Sequence, residues 1–108
     1  MKKIFFLVVI LSFCLSVNAE NNMEKTNRMM NECIQNNLCY KANASLQEVY
    51  VNEYAWRNAY IDDKESIALF FLKYTQARNP QAKFVNINSA TSGKTIGVYK
   101  EYFGYKDK

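Results

Sequence analysis

A chain of 108 residues, 49% hydrophobic and 22% charged, holds the core of one small domain and not of two. Its net charge of +4 is modest, and setting aside Lys2 and Lys3 halves it, too little for a nucleic-acid binder. The sequence contains no histidine, which removes the commonest general base and zinc ligand and excludes most hydrolytic and metal-dependent constellations.

Residues 1–19 have the pattern of a cleaved export signal. Lys2 and Lys3 precede the apolar run from Ile4 to Leu15, and Val17-Asn18-Ala19 supplies the modest side chains a signal peptidase reads. The run falls short of the ~20 apolar residues a transmembrane helix needs. Cys14 follows Phe13, where a lipoprotein signal wants a small residue, so it is read as part of the run. The expectation is a bacterial signal peptide over 1–19, one domain over 20–108, a periplasmic or secreted location, and no stable membrane span after cleavage.

Glu20 to Asn37 is polar with a thin apolar stripe of Met23, Met30, Cys33 and Ile34, which predicts an amphipathic helix ending near Asn36-Asn37. Cys33 and Cys39 straddle that end. Six residues of continuous helix rise about 9 Å, beyond the ~7 Å that a disulfide tolerates between Cα atoms. Their pairing therefore requires the helix to break between them. A structural bond is favoured over a redox pair or a metal site, because the spacing is C-x5-C and no histidine is present.

Ser45-Leu46-Gln47-Glu48 has the capping-box pattern, and the apolar residues from Leu46 to Ile61 recur at the helical period, so a second helix is expected there. Glu53 and Arg57 interrupt its apolar face four residues apart, where they can pair. An ion pair at the edge of the core is the preferred reading; with Tyr50, Trp56 and Tyr60 around it, the alternative is a protein-binding hot spot. Asp62 to Arg78 is expected to be the central helix. Asp62 or Asp63 caps its start, Ile67, Phe70, Phe71 and Tyr74 share one face, and Asn79-Pro80 stops it.

Beyond Pro80 two readings compete. Phe84 to Asn88 alternates like a strand and can form a hairpin with Thr95 to Tyr99 across a turn at residues 89–94. Ile96, Tyr99 and Phe103 also sit at helical spacing before Gly104, and a helix over Ser92 to Phe103 is preferred. Ser92-Gly93-Lys94-Thr95 lacks the earlier glycine of a phosphate-binding loop, the position being Asn88. The tail interleaves Tyr99, Tyr102, Phe103 and Tyr105 with lysines, making Tyr102 and Tyr105 candidate contact residues. Charge is uneven too. Residues 20–69 carry five basic and eight acidic side chains, whereas residues 70–108 carry seven basic and two acidic; a solvated face is the preferred reading of that basic end, and steering towards an acidic partner or an anionic surface is the alternative.

The sequence thus predicts a mainly α, single-domain bundle of three to four helices stapled by one disulfide, with room for a short β-hairpin near the C-terminus. Its expected function is binding to a protein partner as an inhibitor, immunity factor or assembly accessory. A secreted effector or toxin, and a small carboxylate-dependent hydrolase, are the alternatives. No enzyme activity, cofactor, metal or nucleic acid is expected, and the candidate partner-binding residues are Glu53, Trp56, Arg57, Tyr60, Tyr102 and Tyr105. Alkylation of the processed protein without reductant should leave Cys33 and Cys39 unmodified in a monomer. Two alkylated cysteines, or a disulfide-linked dimer, would show that they do not pair with each other.

Overall fold

A computed structural model describes residues 22–108; the expected export signal and Cys14 lie outside the described residues. The chain runs α1 (Asn22–Gln35), β1 (Cys39–Asn43), β2 (Glu48–Val51), α2 (Glu53–Arg57), α3 (Ile61–Arg78), β3 (Phe84–Ser89), β4 (Thr95–Lys100) and β5 (Gly104–Asp107). The mainly α bundle is therefore overturned: the described residues form three helices and a five-stranded mixed sheet, 42% helix and 29% strand. Among them, no helix is long and apolar enough to cross a membrane.

The strands lie in the sheet in sequence order. All neighbours are antiparallel except β2 and β3, which pair in parallel from Glu48 opposite Asn86 to Val51 opposite Ser89. A parallel pair needs a crossover, and α2 with α3 supplies it. Helix α3 packs on β3, β4 and β5, and α1 packs on α3 and β1, so the helices cover one face of the sheet. Val49, Val51, Val85 and Ile87 point into that layer and are fully buried. The alternate positions Tyr50, Asn86, Val98, Lys100 and Lys106 form the outer face.

Helix α3 matches its sequence signals closely. Ile67, Phe71 and Leu72 are buried and Phe70 nearly so, while Leu69 faces out. The N-cap is Tyr60, in extended conformation and with no side-chain cap bond. Asp62 and Asp63 lie in the first turn instead, favourable against the helix dipole but not capping it. At the other end the Asn79 N–H bonds the Thr75 carbonyl, and the helix stops before Pro80.

Helix α1 also ends where expected. Asn37 takes the left-handed conformation, with φ 61°. The chain reverses, and Cys33 and Cys39 form a disulfide with their Cα atoms 5.3 Å apart. The buried face is Met29, Met30 and Cys33, and the expected stripe members Met23 and Ile34 are exposed.

Two expected helices are corrected. Leu46 to Ile61 is not one helix but a turn, strand β2 and the five-residue α2. The Asn43 carboxamide accepts from the Leu46 N–H and closes that turn, which takes Ser45 and Glu48 out of any capping box. Val49 and Val51, two residues apart, then gain full burial as a rung beside β3. Ser92 to Phe103 is likewise strand β4 and a turn rather than a helix. The hairpin from Phe84 forms because Gly93 supplies φ 77° and the Ser89 hydroxyl accepts from the N–H groups of Thr91 and Ser92.

Phe71 sits at the middle of the core, its ring 5.9 Å from that of Trp56 and 5.6 Å from Phe70. Truncation to alanine should cost about 3–5 kcal/mol, a third or more of the stability of a domain of this size. A Phe71→Ala protein that melts within about two degrees of the parent would place the core elsewhere.

Candidate functional site

The short helix α2 is built from a cap outward. Asn52 accepts from the Ala55 N–H through its side chain, and the Asn58 N–H bonds back to the Tyr54 and Trp56 carbonyls. Five residues make too little helix to stand alone. What holds α2 is Trp56, whose ring is fully buried against Phe71 and edge-on to Tyr105. The indole N–H donates to the Tyr105 hydroxyl at 2.8 Å, joining residues 49 apart in sequence.

The Tyr105 hydroxyl in turn donates a hydrogen bond to Asp107 Oδ1 at 2.7 Å, and the Lys64 ammonium, largely buried, donates to the same oxygen at 3.1 Å. Burial pushes the Tyr105 hydroxyl well above its ordinary range; the Trp56 donor opposes this and the Asp107 carboxylate adds to it. For Asp107 itself burial acts upward, but the bonds from Tyr105 and Lys64 outweigh it and hold the carboxyl below its usual value. The ring of Tyr105 lies over Gly97, where a Cβ would collide with it. The glycine is thus the position that lets β5 close over the core.

This network relocates two candidates. Trp56 and Tyr105 are buried structural residues and drop out as contact residues. Their composition suggested a surface because aromatic side chains suit a core and an interface equally. Glu53, Arg57 and Tyr60 remain outside. Arg57 Nε donates to Glu53 Oε2 at 2.7 Å, and the pair is partly exposed at the end of the sheet where β2 and β3 finish. That bond, and one from Ser89, hold the Glu53 carboxyl below its ordinary value. Tyr102 is at the opposite end, in the β4–β5 turn, so the structure does not bring it to Arg57.

Around the Glu53–Arg57 pair the segment exposes Tyr54 at 62%, Tyr60 at 60% and Ile61 at 55%. Tyr54 and Ile61 were not among the sequence candidates. Their signal was an apolar side chain on a segment too short to bury all of its faces, and it was hidden by reading one long helix.

No protein family matches this chain, and neither does any curated protein or solved structure at a significant level.

Because Asp107 has a depressed carboxyl in the folded state, the stability it contributes is present above the unfolded carboxylate range and is lost as pH falls through the folded value. Asp107→Asn leaves the Lys64 ammonium buried beside a neutral amide, so the variant should melt lower than the parent at pH 7. The difference should begin to shrink as pH falls through about 4, where the unfolded carboxyl is protonated, and should close only below the lower folded value. Melting curves against pH check this, and a gap that stays constant into acid would remove Asp107 from the network.

Proposed function

We propose that this chain is an exported binding protein that occupies the surface of a protein partner, as an inhibitor, immunity factor or assembly accessory, through α2 and the turn that follows it. The observation that carries this reading is the contrast within eight residues between a fully buried Trp56 and the exposed Tyr54, Arg57, Tyr60 and Ile61. Trp56 fixes the helix through its bond to Tyr105, so the outward side chains stand on a rigid base and lose little freedom on binding. Tyrosine and arginine are among the residue types that dominate binding energy at interfaces. The acids gathered at β5 are engaged in the fold's own bonds, Asp107 with Tyr105 and Lys64, and Glu65 with the Tyr105 N–H. That favours binding over carboxylate-dependent hydrolysis.

The test is a photoreactive residue placed in turn at Tyr54, Tyr60, Ser66 and Lys73 in the producing cell. One crosslinked protein obtained from positions 54 and 60, and absent from 66 and 73, is expected. Arg57→Glu should then weaken that complex about tenfold or more. It should barely change the melting temperature, because a partly exposed pair adds little to stability. Equal labelling from all four positions, or a complex indifferent to Arg57→Glu in a folded protein, would defeat the proposal.

A further inference from the structure

Three loops meet at the end of the sheet where β2 and β3 begin: residues 44–47, 79–83 and 101–103. They are laced together. The Asn79 carboxamide donates to the Ala44 carbonyl at 3.1 Å, the Asn86 N–H to the Gln47 carbonyl at 2.8 Å, and the Glu101 N–H to the Lys83 carbonyl at 2.8 Å. The result is a fixed platform rather than three separate turns.

Among the described residues, left-handed backbone outside glycine occurs at Asn37, Gln47 and Tyr102. Asn37 is a helix end, where asparagine is suited to that conformation. Gln47, at φ 57°, and Tyr102, at φ 72°, are not suited to it, and both belong to this platform. Beside them three strongly exposed apolar side chains project: Leu46 at 62%, Tyr102 at 93% and Phe103 at 76%, the last two the most exposed large apolar side chains among the described residues. Burial within the fold explains none of the three.

Charge is sorted at the same place. Lys83 and Lys100 flank the β4–β5 turn, and Lys106 follows on the outer face, where Phe103, Lys100 and Lys106 border a hollow of about 430 Å³ over Val98. Among the described residues, no ion pair engages Lys100 or Lys106. The acid of the turn is drawn inward. Gln76 donates to Glu101 Oε2 at 2.8 Å, Lys83 lies 3.5 Å from Oε1, and the Gln76 bond leads in holding that carboxyl below its usual value.

We propose that this platform docks on an anionic lipid bilayer, with Leu46, Tyr102 and Phe103 entering the headgroup boundary and Lys83, Lys100 and Lys106 lying against acidic headgroups. Leu46 and Tyr102 project from their turns and Phe103 stands at the rim of the hollow over Val98, which suits a flat and deformable surface better than a protein cleft. The two apolar tips belong to strand pairs on either side of β3, some 14 Å apart at ~4.8 Å per strand, and both lie at the end of the sheet where β3 begins. Aromatic side chains favour the membrane interface, and neighbouring lysines add attraction to a negative leaflet. The surface is opposite to α2, so neither proposal rests on the other.

The experiment follows the full chain, as recovered from its producing cell, on vesicles of mixed phosphatidylglycerol and phosphatidylcholine and on vesicles of phosphatidylcholine alone. Binding to the anionic vesicles should weaken with salt and fall about tenfold or more in Lys83→Glu/Lys100→Glu and in Tyr102→Ser/Phe103→Ser. These positions are exposed, and unchanged melting curves will confirm that the variants fold. Lipid with brominated acyl chains should quench the fluorescence added by Phe103→Trp and not that added by Tyr54→Trp, which locates the contact independently of total binding. No preference for anionic vesicles, wild-type binding by both double variants, or equal quenching at positions 103 and 54 would each overturn the proposal.

Discussion

The parallel pairing of β2 with β3 is the constraint on which the rest of the structure depends. Glu48 meets Asn86 and Val51 meets Ser89, so the chain leaves β2 at one end of the sheet and must re-enter β3 at the other. No tight turn can do this, and a helix crossing the sheet can. Helix α3 is that crossing. Its apolar circumference follows from being covered by the sheet on one side and by α1 on another. The antiparallel pairs on either side, β1–β2 and β4–β5, then turn back at the same end. The platform of three loops is therefore a consequence of one parallel pairing.

At the other end the crossing begins with α2, too short to hold itself. Trp56 closes that end by reaching Tyr105 on the outermost strand. The contact serves both partners: the indole finds an acceptor in the core, and the four-residue β5 gains an attachment beyond its edge pairing. The buried Lys64 requires a counter-charge, and Asp107 at the end of β5 provides it. Gly97 is the space in β4 that allows the Tyr105 ring to lie there.

Which parts of this were legible in the sequence follows from how local their causes are. Asp62 to Arg78 was legible because the proline stop and the 3.6-residue pattern are both contained within it, although its cap belongs to Tyr60. The break between Cys33 and Cys39 was legible because disulfide geometry forbids the alternative. Leu46 to Ile61 was misread because Val49 and Val51 owe their strand conformation to β3, more than thirty residues away, while the same apolar residues also satisfy a helical period. Ile96, Tyr99 and Phe103 misled in the same manner. They follow a helical spacing, but pairing with β3 decides the segment, and Gly93 is the local mark of that hairpin. For the candidate site, the Glu53–Arg57 pair was legible from its i,i+4 spacing alone. The burial of Trp56 and Tyr105 was not, since only the fold brings these two rings together.

The topology also decides how the two candidate surfaces relate. Strands β2 and β3 run from the loop platform to the α2 end, so Tyr102 and Arg57 lie at opposite ends of the same sheet. A bilayer held at the platform would leave Tyr54, Arg57 and Tyr60 facing away from the membrane. The rigid elements between them, α3 and the paired strands, are stapled by the Trp56–Tyr105 contact at one end and by the Asn79–Ala44 and Glu101–Lys83 bonds at the other. If both proposals hold, such an arrangement would keep a partner at a fixed height above a lipid surface without a linker. The basic residues after Phe70 are spread over both ends of the sheet: Lys83 and Lys100 lie at the platform and Lys106 follows on β5, whereas Lys94, in the β3–β4 turn, lies at the α2 end and acts on the Glu53 carboxylate.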